Sequence, residues 1–504
     1  MDTTLNRRNF LKGALASGAV LMAGGALVGC ASEGGNSGDT VVGFAPVEFA
    51  EETDVLIIGT GIAGLSAAMD PVEAGYKVML ADKRDTYGGE SFMACGVMNV
   101  SGSEMQKRAG IEGSVEEKWE KYAPVLEKKG ETDDMEYKKN VYLGQTEWAN
   151  RVEADYGAQF QPLEAYKDTG APTSMLLPLN GIGDMTSVLT PLINGLQDKG
   201  ATVELNRKAT NFIVDSEGTV IGVRFVDSKT DKIIDVKAKK IVLATGGFSC
   251  NQVMVSEYMP QQAELCPLTV YSMGEGHELG RSIGGVYAHM DMDSNRMSDL
   301  AQVTVWGYFG RNVQVSPMGR RFIKEDQSHD TPDACAELGL GFWWTIFDNQ
   351  LIEGSQAWNV EMNMKAHEDR LVGPCNTLDE LAQAMDVPAE NLKATFAEYD
   401  GYVDAGEDAA FGKKLFLEKL EAPYYALKHF PFRYKTHGGE GCNRQPACRQ
   451  SGQSDCERVL LWVYHPGHGR PFPECGFRPY HGQGRRCFLQ SEQARPSDLC
   501  MRLL

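Results

Sequence analysis

The 504-residue sequence has no Cys-x-x-Cys-His segment, no ferredoxin-type cysteine run and no CxxC pair. Those absences exclude covalently attached haem, iron–sulfur ligation and the common zinc patterns, so no metal site is expected. A long hydrophobic run is missing too. The Gly/Ala-rich stretch at 13–29 is too short and too weakly apolar to span a bilayer well. Positive charge is scarce, with 49 Lys+Arg against 69 Asp+Glu and a net charge of −20. That argues against non-specific binding to nucleic acid or anionic headgroups. What is present is ordinary for a soluble globular chain, with 42% hydrophobic and 23% charged residues. The length exceeds what one core usually organises, so two or more domains are expected.

The first thirty residues read as an address. Arg7-Arg8 precede the apolar run in the manner of a twin-arginine export signal, and Leu27-Val28-Gly29-Cys30 has the form of a lipobox. Export of a folded protein to the periplasm or cell surface is expected, with a lipid anchor at Cys30; an ordinary cleaved signal with a chance cysteine is the alternative. Residues 31–50 read as a flexible tether.

The strongest motif spans 54–83. An apolar strand-type run at 54–58 leads directly into Gly59-Thr60-Gly61-Ile62-Ala63-Gly64, then a helical stretch at 65–74 and a second strand at 77–81 ending in Asp82. This is a complete βαβ dinucleotide fingerprint. Gly59 permits the tight turn, Gly61 lets the backbone approach a pyrophosphate, and Gly64 lets helix and strand pack closely. The helix N-terminus faces the phosphates, and Asp82 stands where an acid accepts from ribose hydroxyls. Pro71 departs from the pattern and is expected to kink the helix. The motif alone does not choose between FAD and NAD.

Further segments do. Gly88-Gly89-Glu90-Ser91, then Ala94-Cys95-Gly96, carry paired glycines. A β-meander through 220–236 leads into Ala244-Thr245-Gly246-Gly247, followed by Met273-Gly274-Glu275-Gly276. Taken together and in this order, these segments resemble the fumarate reductase/succinate dehydrogenase flavoproteins over roughly residues 50–440. The resemblance implies FAD as cofactor. It also implies an α/β fold, with a Rossmann-like FAD-binding domain at 51–288 and an α+β capping domain inserted at 289–435. The chain then returns to the FAD-binding domain at 436–504. Ala63, Lys83 and Ala209, with Gly438 and Gly439 in Thr436-His437-Gly438-Gly439, complete the cofactor-binding set it assigns.

Gly319-Arg320-Arg321-Phe322-Ile323-Lys324-Glu325 resembles a capping-domain segment of that family, and 344–348 a strand after it. Leu378, Leu381, Leu392 and Phe396 recur at helical spacing. The family chemistry is hydride transfer between flavin N5 and a carbon beside an activating group, with an active-site acid serving the adjacent carbon. By resemblance, His329 stands at the family's proton-donor position, Lys435 at a substrate-binding position and Arg296 near another. A surface-loop histidine is the alternative reading of residue 329. The glutamate of the family's proton path has no counterpart. A small dicarboxylate is therefore not the expected substrate. Hydride addition to an activated C=C bond of a small organic acceptor is expected, with electrons from an external donor such as a quinol-oxidising cytochrome or small carrier. A 3-ketosteroid dehydrogenase-like enzyme is the alternative.

Residues 441–504 break the pattern. Positions 1–440 hold 26 Lys and 14 Arg, whereas 441–504 hold 9 Arg, no Lys and six of the 12 cysteines. The family's strand and glycine-rich helix are missing there. Read one base later, 453–462 permits Asn-Pro-Ile-Ala-Asn-Val-Tyr, two further residues and a Gly; 470–486 likewise permits a helix-like Gly-Leu-Ser-Gln-Asn-Ala-Gly-Phe stretch. Both resemble the missing ending in the correct order, so this segment reads as frame-shifted. A genuine cysteine-rich tail is the alternative. An inactive, truncated flavoprotein would follow if the shift is real in the cell.

Overall fold

A computed structural model describes residues 41–42, 45–94, 96–98, 100–128, 135–162, 176–181, 183–288, 290, 296–298, 310–327, 330–354, 357–436, 439–441 and 459–461. Its main sheet grows from the apolar run that opens the fingerprint. β1 (Phe49–Ile58) pairs in parallel with β2 (Val78–Ala81), which pairs in parallel with β3 (Thr202–Glu204). On its other edge β1 pairs in parallel with β6 (Ile233–Leu243), the last strand of a meander through β4 (Arg207–Val214) and β5 (Val220–Asp227). Both faces of β1 are covered, which is why its sequence reads as continuous rather than alternating. Val55 and Ile57 pack with Leu65, Met69, Val72 and Trp148, while Leu56 and Ile58 pack with Val223, Phe225 and Ile241.

Helix α1 (Ile62–Glu73) crosses from β1 to β2, and two later helices, α2 (Met135–Tyr156) and α3 (Thr186–Asp198), join its core. Pro71 does not break it. The proline lies in the last turn, and Ala74 N closes on Asp70 O at 2.9 Å, so the lost N–H falls where the helix is already ending. The sheet also gains Val459–Leu461, which pairs in parallel with Ile241–Leu243 of β6 beyond the point where β5 has left that edge.

A second, antiparallel sheet has the order β7 (Asn312–Val315), β8 (Trp343–Phe347), β10 (Tyr424–His429), β9 (Leu371–Cys375). Two helices cover one face, α5 (Leu378–Met385) and α6 (Ala389–Ala405), burying Leu381, Leu392 and Phe396 as their spacing predicts. Helix α4 (Ala357–Ala366) contributes Val360 to a smaller core with Phe347, Leu351 and Leu427. The Arg321 and Glu325 positions of the capping-segment motif hold this layer together. Arg321 bonds Glu325 at 2.8 Å and Asp408 at 2.8 Å, and the Lys413 ammonium donates to Asn312 O at 2.6 Å and Tyr399 Oη at 3.1 Å. Short pairings tie the two layers where the chain leaves and returns: Met297–Ser298 with Pro431–Phe432, and Val286–Ala288 with Gly439–Gly441.

Candidate functional site

The turn from β1 into α1 is built by contacts that no side chain would allow. A Cβ at Gly59, where φ is +109°, would lie 2.2 Å from Ala244 O, and one at Gly64 would lie 2.0 Å from Gly59 O. Strand, turn, helix and the end of β6 are therefore held at backbone distance. Gly61 is the N-cap of α1 and makes no side-chain cap. Ser91 reaches across instead, its Oγ accepting from Ile62 N at 2.9 Å.

Asp82 closes the turn from below. One carboxylate oxygen accepts from Thr60 N at 3.1 Å and from Thr60 Oγ1, and the other from Arg84 N at 3.0 Å. Gly88 N donates to Thr60 O and Oγ1, both at 3.1 Å, so the paired-glycine segment is laced to the same turn. The acid expected to meet a ribose thus also supports the glycine turn. It still borders the cavity, and its oxygens have lone pairs beyond those two roles.

Around this turn opens a cavity of about 530 Å³. Of the residues assigned from sequence, Gly59, Gly61, Ala63, Asp82, Lys83, Gly89, Ser91, Ala209, Ala244, Thr245, Gly246, Gly247, Glu275 and Lys435 line it. Lys83 and Glu275 form an ion pair at 2.8 Å on its wall. Gly64 lies beneath it as a packing glycine. Gly88, at φ +90°, sits against the Phe92 ring, and Gly96 packs on Pro178 and Met185 away from the cavity. Gly439 lies in the strand paired with Ala288. His329 and Gly438 lie outside the described residues. Arg296 is buried and bonded to Asp333 at 3.0 Å, and it is not on the cavity wall.

Several lining residues were not marked by any motif. Asn363, Ala366 and His367 reach the cavity from α4 and the residue after it, and Tyr434 from the returning segment, where Thr436 of the Thr436-His437-Gly438-Gly439 motif also lines it. That segment is pinned on both sides of Lys435. Arg433, fully buried, donates to Ser249 O at 2.7 Å and Gln262 O at 2.9 Å, and Thr436 Oγ1 accepts from Phe248 N at 3.1 Å. Near this wall His429 is buried and stacked on Trp343 with ring centroids 5.0 Å apart, its Nδ1 3.0 Å from Ser298 Oγ. Burial, then the charges of Arg370 and His367, pull its pKa down to about 3.

The arrangement fits a flavin dinucleotide. The N-terminal end of a twelve-residue helix, whose N-cap Gly61 has no side chain, meets the cavity beside the backbone of Gly61 and Gly89. Gly61, Ala63, Asp82, Gly246 and Gly247 line the cavity and are the residues that could hold FAD.

Residues 54–297 match the family model described as FAD binding domain. The chain is 28% identical over 415 residues to a probable fumarate reductase of Shewanella frigidimarina, covering 78% of this chain and 66% of that protein. It is 28% identical over 440 residues to the urocanate reductase of Eggerthella lenta, covering 84% and 71%. The chain therefore spans about two thirds of the length of these relatives. The fold matches the open conformation of a flavocytochrome c3 fumarate reductase with a TM-score of 0.65 at 24% identity, covering 91% of this chain and 75% of that one.

Proposed function

From the premise that this chain is an FAD-dependent oxidoreductase of the fumarate reductase-like flavoproteins, we propose that it reduces an activated C=C bond of a small organic acceptor. The observation that carries this reading is a cavity walled both by the glycine turn and by residues of the capping layer. Bound FAD supplies the hydride chemistry. The protein supplies orientation, exclusion of water and a cation for the charge that builds on the activating group, and the position of Lys435 on the cavity wall supports that role for it. The relatives named for fumarate and urocanate reduction support an unsaturated acid as acceptor.

Electrons reach the flavin from a separate carrier, and the net charge of −20 suits one with a basic docking face. Arg7-Arg8 and Cys30 support export by the twin-arginine route and lipid anchoring, which radiolabelled palmitate would report. A Cys30→Ala chain that is still labelled would contradict the anchor. The function itself is tested by reducing the bound flavin anaerobically with an artificial donor and adding acrylate, urocanate, cinnamate or fumarate. Flavin reoxidation with appearance of the saturated acid supports it; no reoxidation by any of them overturns it.

A further inference from the structure

We propose that His367 is the proton donor of this site and that Lys435 selects an acceptor bearing a single carboxylate. The inference rests on the reductase reading above and names the residue and substrate class that reading leaves open.

Asn363 and His367 are four residues apart, so they share a face, and His367 N is bonded to Asn363 O at 3.1 Å. Both line the cavity, as does Lys435 from the opposite layer. Among the described residues that line it, His367 is the only histidine. An imidazole is the side chain whose ordinary pKa lets it hold a proton near neutrality and release it. Charged and titratable groups beside it include Glu368, Asp369 and Arg370, which follow it in the chain, Lys435 on the same cavity, and His429, which feels its charge. His429 is held neutral by burial and is not among the residues that border the cavity, whereas the His367 imidazole is.

The selection for one carboxylate follows from where the other cation went. Arg296, a family candidate for a second carboxylate, is buried against Asp333 and Glu337 and does not border the cavity. Lys83, Arg84, Arg207 and Lys208 line the cavity from the first layer, and Lys435 is the cation that the returning segment brings to it among the described residues. FAD held at the glycine turn would, once reduced, supply a hydride to the β-carbon as the C=C π bond breaks. His367 gives its proton to the α-carbon, and Lys435 balances the charge on the carboxylate. The acceptor gains two electrons and two hydrogens; the flavin is oxidised, to be reduced again by the external carrier.

The test uses the full chain with bound FAD. His367→Gln should keep its flavin and bind propionate, read by perturbation of the oxidised flavin absorbance, with unchanged affinity. Its reoxidation by acrylate should slow by about 100-fold or more. The slowing should be accompanied by loss of the limb of the pH profile that falls as an imidazolium deprotonates, and imidazole should restore part of the rate to His367→Ala. Lys435→Gln should instead weaken propionate binding roughly tenfold or more. Wild-type protein should be reoxidised faster by acrylate than by fumarate. If wild-type flavin is reoxidised but His367→Gln keeps the rate and the pH limb, the proton-donor assignment is wrong while the reductase reading stands. If Lys435→Gln binds propionate as the wild type does, or fumarate is the faster acceptor, the single-carboxylate selection is wrong. If wild-type flavin is reoxidised by none of the acceptors, both readings fall.

Discussion

Gly64 and Gly401 show how differently two glycines in helices can matter. A methyl group at Gly64 would press on the carbonyl of Gly59, so Gly64→Ala must push α1 off β1 and open the turn that cradles the cofactor. Loss of bound flavin from purified Gly64→Ala is the expected outcome, and full retention would contradict the role given to that contact. Gly401 lies exposed in α6 with nothing near it. Gly401→Ala should therefore raise stability by roughly 1 kcal/mol in urea unfolding, since alanine loses less backbone freedom in a helix. The fingerprint glycines were legible because their spacing encodes a backbone geometry. His367 was not, because no local pattern marks it; only the folding of α4 against the first layer brings it to the wall. Arg296 shows the reverse case, where a family position could be counted along the chain but its partner, Asp333, could not.

At the scale of elements, strand β1, helix α1, the meander and the amphipathic pair α5 and α6 could all be read from period and punctuation. The buried ionic cluster of the capping layer could not, since it joins Arg321 and Glu325 to Asp408 and Lys413 across loops. Asp408→Asn leaves one arm of the Arg321 guanidinium without its anion in a dry site, and should cost roughly 3 kcal/mol in urea unfolding. A change near zero would show that Glu325 alone suffices.

His429 gives the same layer a dependence on acid. Its pKa falls from 6.5 to about 3 on folding, so below pH 6.5 the unfolded chain binds a proton that the folded one does not. Stability is therefore lost as pH falls from 6.5 towards 3, by at most about 1.4 kcal/mol per unit from this group. His429→Gln should flatten that slope, measured as urea midpoints across the same range; an unchanged slope would place the acid sensitivity elsewhere.

For the molecule as a whole, the unusual feature is the change of composition after Gly441. Val459–Leu461 takes a parallel place beside β6, and it coincides with the segment that yields a family-like strand when read one base later. We propose that a one-base shift separates the codons for Thr436 from those for Trp462. Re-sequencing that interval should find a single inserted or missing base relative to an independent isolate, and an identical sequence would make the arginine- and cysteine-rich segment native. The two-layer plan was legible at this scale because the glycine segments fall in a specific order. The identity of the acceptor was not, since it depends on side chains from three separated stretches meeting at one wall. The most direct test of the central claim is anaerobic reoxidation of the reduced, FAD-loaded chain by acrylate, followed by absorbance and product mass. The account predicts return of the oxidised flavin band with conversion to propionate; flavin that stays reduced while all four unsaturated acids are recovered unchanged would contradict it.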